Sequence, residues 1–237
     1  MRIKLYFSLE NNKIGIQYRK NIISWIKHAL QEYDNEFFET VYQLNSTKTF
    51  TWSVIFPAPI FKEEEIILAD ASFSMIFSSY NDYQSIQFYN AFLAQKLKKY
   101  SLNCNSMTLK GITMLTEPTI QNETILIKTV SPIITRDHNQ ETKKDKYYSF
   151  EREEFIPCLK MNVEEQLKGE GLDKDLIEGF KIKPLQAKKV IVKLYEKKIE
   201  CSVGTFQISG KQELLNYLIK AGLGSKKGMG FGLTECI

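Results

Sequence analysis

The sequence predicts an α+β protein of two tandem ferredoxin-like (RRM-like) domains, residues 1–117 and 118–237, closed by a C-terminal glycine-rich loop. Three observations predict it. Residues 1–117 read as strand, helix, strand, strand, helix, strand, the order of a split βαβ domain. After Glu117 and Pro118 a second series begins and follows the same order loosely, without any visible sequence repeat. Finally, an apolar helix near the end of the chain runs into five glycines between Gly222 and Gly232, and a short strand leaves them.

The elements follow from periodicity. Residues 1–9 alternate Ile3, Leu5 and Phe7 with Arg2, Lys4 and Tyr6, the period of a half-buried strand. A polar link over 10–20 leads to a helix over 21–33, with Ile22, Ile26, Ala29 and Tyr33 on one face and Asn21 as its cap. Residues 35–43 suggest a helical turn. Alternating Phe50, Trp52, Val54 and Phe56 give a strand ended by Pro57 and Pro59, and 66–80 another strand. Residues 83–98 carry Ile86, Tyr89, Asn90, Leu93 and Leu97 at helical spacing, with lysines at the carbonyl end as the helix dipole favours. Residues 107–115 return to strand character.

In the second half, 124–135 is a strand rich in Ile and Val, 136–146 a polar hairpin tip and 146–156 its return. Residues 161–180 are helical in composition but interrupted by Gly169 and Gly171. Strands over 189–195 and 199–208 precede the helix over 211–220, with apolar Leu214, Leu215, Tyr217, Leu218 and Ile219.

Composition narrows the function classes. Hydrophobic residues at 43% and charged residues at 25% fit a folded globular chain, and 237 residues suffice for two cores. The net charge of +4 permits a polyanionic partner without demanding one. Cys104, Cys158, Cys201 and Cys236 are widely spaced, so neither a disulfide framework nor a zinc site is expected, and a cytoplasmic location follows. Charge within the first apolar run argues against a signal peptide, and no run approaches the ~20 apolar residues of a membrane span.

The glycine-rich stretch carries the clearest chemistry. Glycine admits positive φ and brings backbone N–H groups close to a bound group, and Lys226 and Lys227 add charge, so a phosphate is the expected ligand. A Walker loop is excluded because Ser225 precedes the lysines and a strand follows. A dinucleotide fingerprint needs the opposite order, strand before and helix after. A bare helix stop at Gly222 followed by a tight turn is the plain alternative.

Gly222-Leu223-Gly224-Ser225-Lys226-Lys227-Gly228-Met229-Gly230-Phe231-Gly232 resembles the signature loop of the CRISPR-associated RNA-binding (RAMP) superfamily, and most closely that of its precursor-RNA processing endoribonucleases. The resemblance implies metal-independent cleavage of repeat RNA, in which a 2′-hydroxyl attacks its own phosphate and leaves a cyclic phosphate and a 5′-hydroxyl. It also implies a catalytic histidine in or just after the first helix. His28, on the polar side with Ser24, Gln31 and Glu32, is similar to that residue; without the resemblance it reads as a solvated surface histidine. A second family pattern has a histidine upstream of a Lys-x-Phe-Thr strand entry. Lys48-Thr49-Phe50-Thr51 resembles the entry, but Tyr42 stands at the upstream place, so His28 alone can serve; His138, in the polar hairpin, reads as an exposed loop residue.

Such chemistry needs a proton carrier and positive charge beside a crowded phosphorane. His28 suits the first and Lys48, with Lys27, the second, while Tyr42 could orient the nucleotide or share the proton. Because A-form RNA hides its major-groove edges, binding is expected through phosphates and 2′-hydroxyls. The candidates are Lys143, Lys144 and Lys146 on the hairpin, with Gly222, Gly224, Ser225, Lys226, Lys227, Gly228 and Gly230 in the loop. No metal or cofactor is expected. CRISPR repeat RNA is the implied partner, with other CRISPR-associated proteins of an effector complex beside it, and a monomer or weak homodimer as the assembly. Two rivals stand: a non-catalytic RNA-binding subunit of such a complex, and a ferredoxin-like pair binding a small ligand or a protein.

Overall fold

The computed structural model describes residues 1–43, 47–195 and 197–237. The chain forms two compact units, one of Met1–Ser46 and Ser53–Thr116, the other of Thr47–Trp52 and Glu117–Ile237.

The first unit contains β1 (Arg2–Leu9), β2 (Lys13–Gly15), α1 (Tyr18–Tyr33), α2 (Asn35–Tyr42), β3 (Phe50–Ile55), β4 (Ile60–Phe61), β5 (Glu65–Ile67), β6 (Ser72–Ser79), α3 (Asp82–Ala94), β7 (Lys99–Leu102) and β8 (Asn105–Met114); β3 begins in the second unit's segment. Its main sheet has the order β3-β6-β1-β8-β7, and β1 pairs antiparallel with both β6 and β8. Without the edge strand β7, this is the strand order of a ferredoxin-like sheet. The alternation of β1 does as expected: Ile3, Leu5 and Phe7 are buried. They meet an aromatic stack in which Trp25 of α1 lies 5.0 Å from the Phe7 ring and 5.1 Å from Phe92 of α3.

Several elements of the first unit differ from expectation. The helix begins at Tyr18 rather than at Asn21, which lies inside it. The polar link and the long strand over 66–80 are divided differently: β2, β4 and β5 form a separate three-stranded sheet, and only Ser72–Ser79 joins the main one. The apolar stripe of α3 is turned outward. Ile86 and Leu93 are exposed, as are Tyr83 and Leu97, whereas Ser85, Phe88, Ala91 and Phe92 face the sheet. Phe88 and Phe92 win the inner face because their rings pack on Phe77, tilted at 4.7 Å and edge-on at 5.1 Å between centres.

The second unit continues with β9 (Thr124–Thr129), β10 (Thr135–Asn139), β11 (Lys144–Tyr148), α4 (Phe155–Glu170), β12 (Lys181–Leu194), β13 (Lys197–Ser209), α5 (Gln212–Ala221) and β14 (Thr234–Cys236). Its sheet order, β12-β13-β9-β14, is again ferredoxin-like, and all its pairs are antiparallel. The β10–β11 hairpin is an insertion between the first strand and the first helix. Compared with expectation, β9 stops at Thr129, α4 starts earlier, at Phe155, and ends on Gly171 in the left-handed conformation, and β12 starts eight residues sooner than the predicted strand. No helix among the described residues is long and apolar enough to cross a membrane.

Candidate nucleic-acid interface

Helix α5 ends at Ala221, and Gly222 takes φ +86 as the chain turns away from it. Close packing dictates the glycines that follow. A Cβ on Gly230, at φ +84, would come within 2.7 Å of the Trp52 ring, and one on Gly224 within 2.4 Å of the Ile134 carbonyl. Trp52 in turn donates its indole N–H to the Gly228 carbonyl at 3.0 Å, and Thr51 its hydroxyl to the Phe231 carbonyl at 2.7 Å. Lys48 stands just before this contact, so near that a Cβ on Gly228 would lie 3.0 Å from Lys48 Cγ. Lys48 and the loop, 180 positions apart, thus meet within one unit.

The backbone amides were expected to aim at a ligand. Most are instead spent on the fold: Ser225 donates to Ile134, Met229 to Lys226, Gly230 to Lys227 and Gly232 to Pro132. Those of Gly224, Lys226, Lys227 and Gly228 have no acceptor among the described residues.

The two loop lysines part company because Lys226 takes the left-handed conformation, φ 56 and ψ 32, ahead of a single turn over Lys227–Met229. Lys227, expected to face RNA, is buried. Its ammonium donates to Gln166 Oε1 at 2.9 Å and lies 5.6 Å from the centre of the Tyr217 ring. Burial pulls its pKa down to about 7, against a raising influence from Glu170. Gln166 passes the link on, donating to the Gly224 carbonyl at 2.6 Å, so Lys227 and Gln166 brace the loop against α4.

Lys226 points the other way, toward the hairpin, where its ammonium lies 3.8 Å from Asp145 Oδ2 and 5.9 Å from the centre of the Tyr147 ring. Burial, with the neighbouring Arg136 charge, holds its pKa below the usual lysine range. In the hairpin, His138 pairs with Asp145 and Arg136 with Tyr147, so these four side chains share one face. Asp137 pairs with Lys146 and Asn139 with Lys144, so both lysines lie on the opposite face. Lys143 sits in the turn at φ 54. The expected basic group is therefore divided: Lys144 and Lys146 do not share a face with Lys226. His138, expected to be an exposed loop residue, is exposed but lies on β10, where it is bonded to Asp145 through Nδ1 at 2.7 Å.

In the first unit, His28 is half-buried midway along α1, and its ring centre is 5.3 Å from that of Tyr100 on β7. The Tyr100 hydroxyl is 2.8 Å from that of Ser24, one turn before His28. Lys27, about 100° further round the helix, lies over the Tyr42 ring at 4.7 Å. Burial raises the Tyr42 pKa well above the usual phenol range, so its hydroxyl keeps its proton. A phenol held neutral in this way is no base, and it is a weaker acid than a free tyrosine. Nothing in the sequence signalled Tyr100, whose strand had not been expected.

Among known proteins, the family model described as CRISPR associated protein Cas6, C-terminal, matches residues 115–236. Solved structures with the same fold include one titled "Characterization of a Cas6-related gene from Pyrococcus furiosus", at a TM-score of 0.85, 21% identity and coverage of 100% of this chain and 98% of that one. Another is described as "An RAMP protein binding different RNA substrates", with a TM-score of 0.82, 20% identity and coverage of 100% and 99%. A Cas6 product complex follows at a TM-score of 0.71, 13% identity and coverage of 100% and 99%. No curated protein matches the chain in sequence.

Proposed function

The chain belongs to the Cas6 family of CRISPR-associated proteins, and from that premise we propose that it binds CRISPR repeat RNA and cleaves precursor transcripts into guide RNAs. The observation that carries the reading is the meeting of Lys48 with the glycine loop that presents Lys226, in a segment covered by the family model. A lysine held against a loop with unspent amides is suited to charge developing on a phosphate.

In this mechanism the 2′-hydroxyl beside the scissile bond attacks the phosphate, leaving a 2′,3′-cyclic phosphate and a 5′-hydroxyl. His28 carries the proton, a role its half-exposed ring allows. The hydroxyl pair Ser24–Tyr100 and the Tyr100 ring hold the imidazole on the side of α1 away from the Ile22–Ile26 stripe. Lys48 and Lys27 supply positive charge. The contact between Lys27 and the Tyr42 ring fixes the ammonium without neutralising it, and Tyr42 orients a nucleotide or donates a proton. Gly222, Gly224, Ser225, Gly228 and Gly230 shape the loop, and Lys143, Lys144 and Lys146 grip RNA from the outer hairpin face.

A second reading, a non-catalytic RNA-binding subunit of an effector complex, is favoured by one observation: Tyr42 occupies the place where a second family pattern has histidine. Incubation of repeat RNA with the protein in EDTA separates the two. Processing predicts cleavage without added metal that is lost in His28→Ala while RNA binding persists. Binding without cleavage favours the second reading. Cleavage that survives His28→Ala removes the histidine assignment, dependence on magnesium removes metal independence, and failure to bind RNA removes both readings.

A further inference from the structure

On the face of the β10–β11 hairpin that Lys226 approaches, one carboxylate is surrounded by more positive charge than it can neutralise. Asp145 accepts from His138 Nδ1 at 2.7 Å and from the Tyr147 hydroxyl at 2.9 Å, with Arg136 Nη1 at 3.4 Å and Lys226 Nζ at 3.8 Å. Lys197 at the start of β13 adds a further charge close enough to depress the Lys226 pKa. Three basic side chains, Arg136, Lys226 and Lys197, thus face one anion. Burial works against the charged form of Asp145, but the hydrogen bonds from His138 and Tyr147, with the Arg136 and Lys226 charges, outweigh it and hold the carboxyl below its usual pKa, so it stays ionised.

The donors, unlike the acceptor, have capacity left. Arg136 Nε is buried and has no hydrogen-bond partner among the described residues. A guanidinium carries five N–H groups in a fork suited to phosphate oxygens, so a single long contact to Asp145 leaves most of it unused. His138 has Nδ1 committed to Asp145, and its Nε2 has no partner among the described residues. Its ring is about one-third exposed, and Arg136 and Lys226 are each less than one-third exposed. The cluster is therefore partly sheltered from water, where charge-assisted bonds are strengthened.

We infer that Arg136 and His138, together with Lys226, form a binding site for a backbone phosphate of the RNA, with Asp145 as the residue that spaces them. The site rests on the RNA-binding reading above and deepens it. It lies on the opposite face of the hairpin from Lys144 and Lys146, so the insertion offers cationic groups on both faces. Asp145 is a positioning residue here: it orients the imidazole and restrains the guanidinium and ammonium.

The test is a fluorescence-anisotropy titration of repeat RNA, at several salt concentrations, with the full-length protein and with Arg136→Gln, His138→Gln and Lys226→Gln. Lys62→Gln, at the β4–β5 turn, serves as a control for loss of one charge. Removing a cation that contacts phosphate lowers the slope of log affinity against log salt by about 0.7 on a single strand. Affinity at the lowest salt falls roughly tenfold for Arg136→Gln, as expected for a lost charge-assisted bond. Arg136→Lys keeps the slope while binding more weakly, because the charge remains and the fork is lost. Thermal melts identify any variant that fails to fold, and His138→Gln, at an exposed position, is read for affinity in any case. Full-length protein that binds RNA while Arg136→Gln and His138→Gln match Lys62→Gln overturns the site and leaves the RNA-binding reading standing. Full-length protein that binds no RNA overturns that reading itself.

Discussion

Replacing Lys227 with methionine should flatten the dependence of stability on pH above neutrality. The folded protein holds this amine at a pKa of about 7, chiefly by burial, whereas in the unfolded chain it titrates near 10.4. The folded pKa is depressed, so the unfolded state binds the extra proton between these limits and stability rises with pH across the window. The stabilisation is complete above the unfolded pKa and is lost as pH falls toward the folded one. The slope from this one group is about 1.4 kcal/mol per pH unit, or about 4 kcal/mol between pH 7 and pH 10. Lys227→Met keeps the length of the side chain and removes the proton. It also leaves Gln166 Oε1 without its donor, a roughly pH-independent cost of about 1–3 kcal/mol. Urea unfolding at half-unit pH intervals, followed by tryptophan fluorescence with Trp52 beside the loop, gives both curves. Their difference cancels the other titrating groups and should change by about 4 kcal/mol. Parallel curves would refute a buried, neutralised Lys227.

Other substitutions test the packing. Gly230→Ala must adopt a left-handed φ at about 1–2 kcal/mol and displace the Trp52 ring at about 1–3 kcal/mol; urea melts should show a loss of about 2–5 kcal/mol, and wild-type stability would contradict the contact. On α3, Phe88→Ala should cost about 3–5 kcal/mol and Ile86→Ser less than about 0.5 kcal/mol in the same assay; the reverse order would restore the outward stripe to the core. Thr51→Val removes the buried hydroxyl that bonds the Phe231 carbonyl and should lower stability by about 1 kcal/mol.

Much of the architecture was legible because β1, α1 and α5 keep clean periods, and both units follow the element order read from the chain. The α3 face was not. Ile86, Leu93 and Leu97 form a regular apolar stripe, but aromatic packing against Trp25 and Phe77 is a tertiary preference that spacing does not encode. The glycine loop was legible by composition, yet the divergence of Lys226 and Lys227 depends on Lys226 itself taking the left-handed conformation, which spacing does not encode. The division of the hairpin lysines follows from register, which a polar turn specifies weakly. Arg136 and His138 spaced by two, and Asp145 and Tyr147 likewise, were the signal in the sequence for the anion-binding face; it becomes readable once the pairing is known. Helical spacing puts His28 on the polar side of α1, whereas its ring partner Tyr100 was hidden by the unexpected edge strand.

The most direct test of the account is a repeat RNA with one 2′-deoxy substitution at the ribose beside the cut, compared with the all-ribose RNA in single-turnover reactions. The account predicts equal binding of both, a 2′,3′-cyclic phosphate product from the ribose form and no cleavage of the deoxy form. Cleavage of the deoxy form at the same bond would contradict attack by the RNA's own hydroxyl, and an uncleaved ribose form would contradict processing altogether.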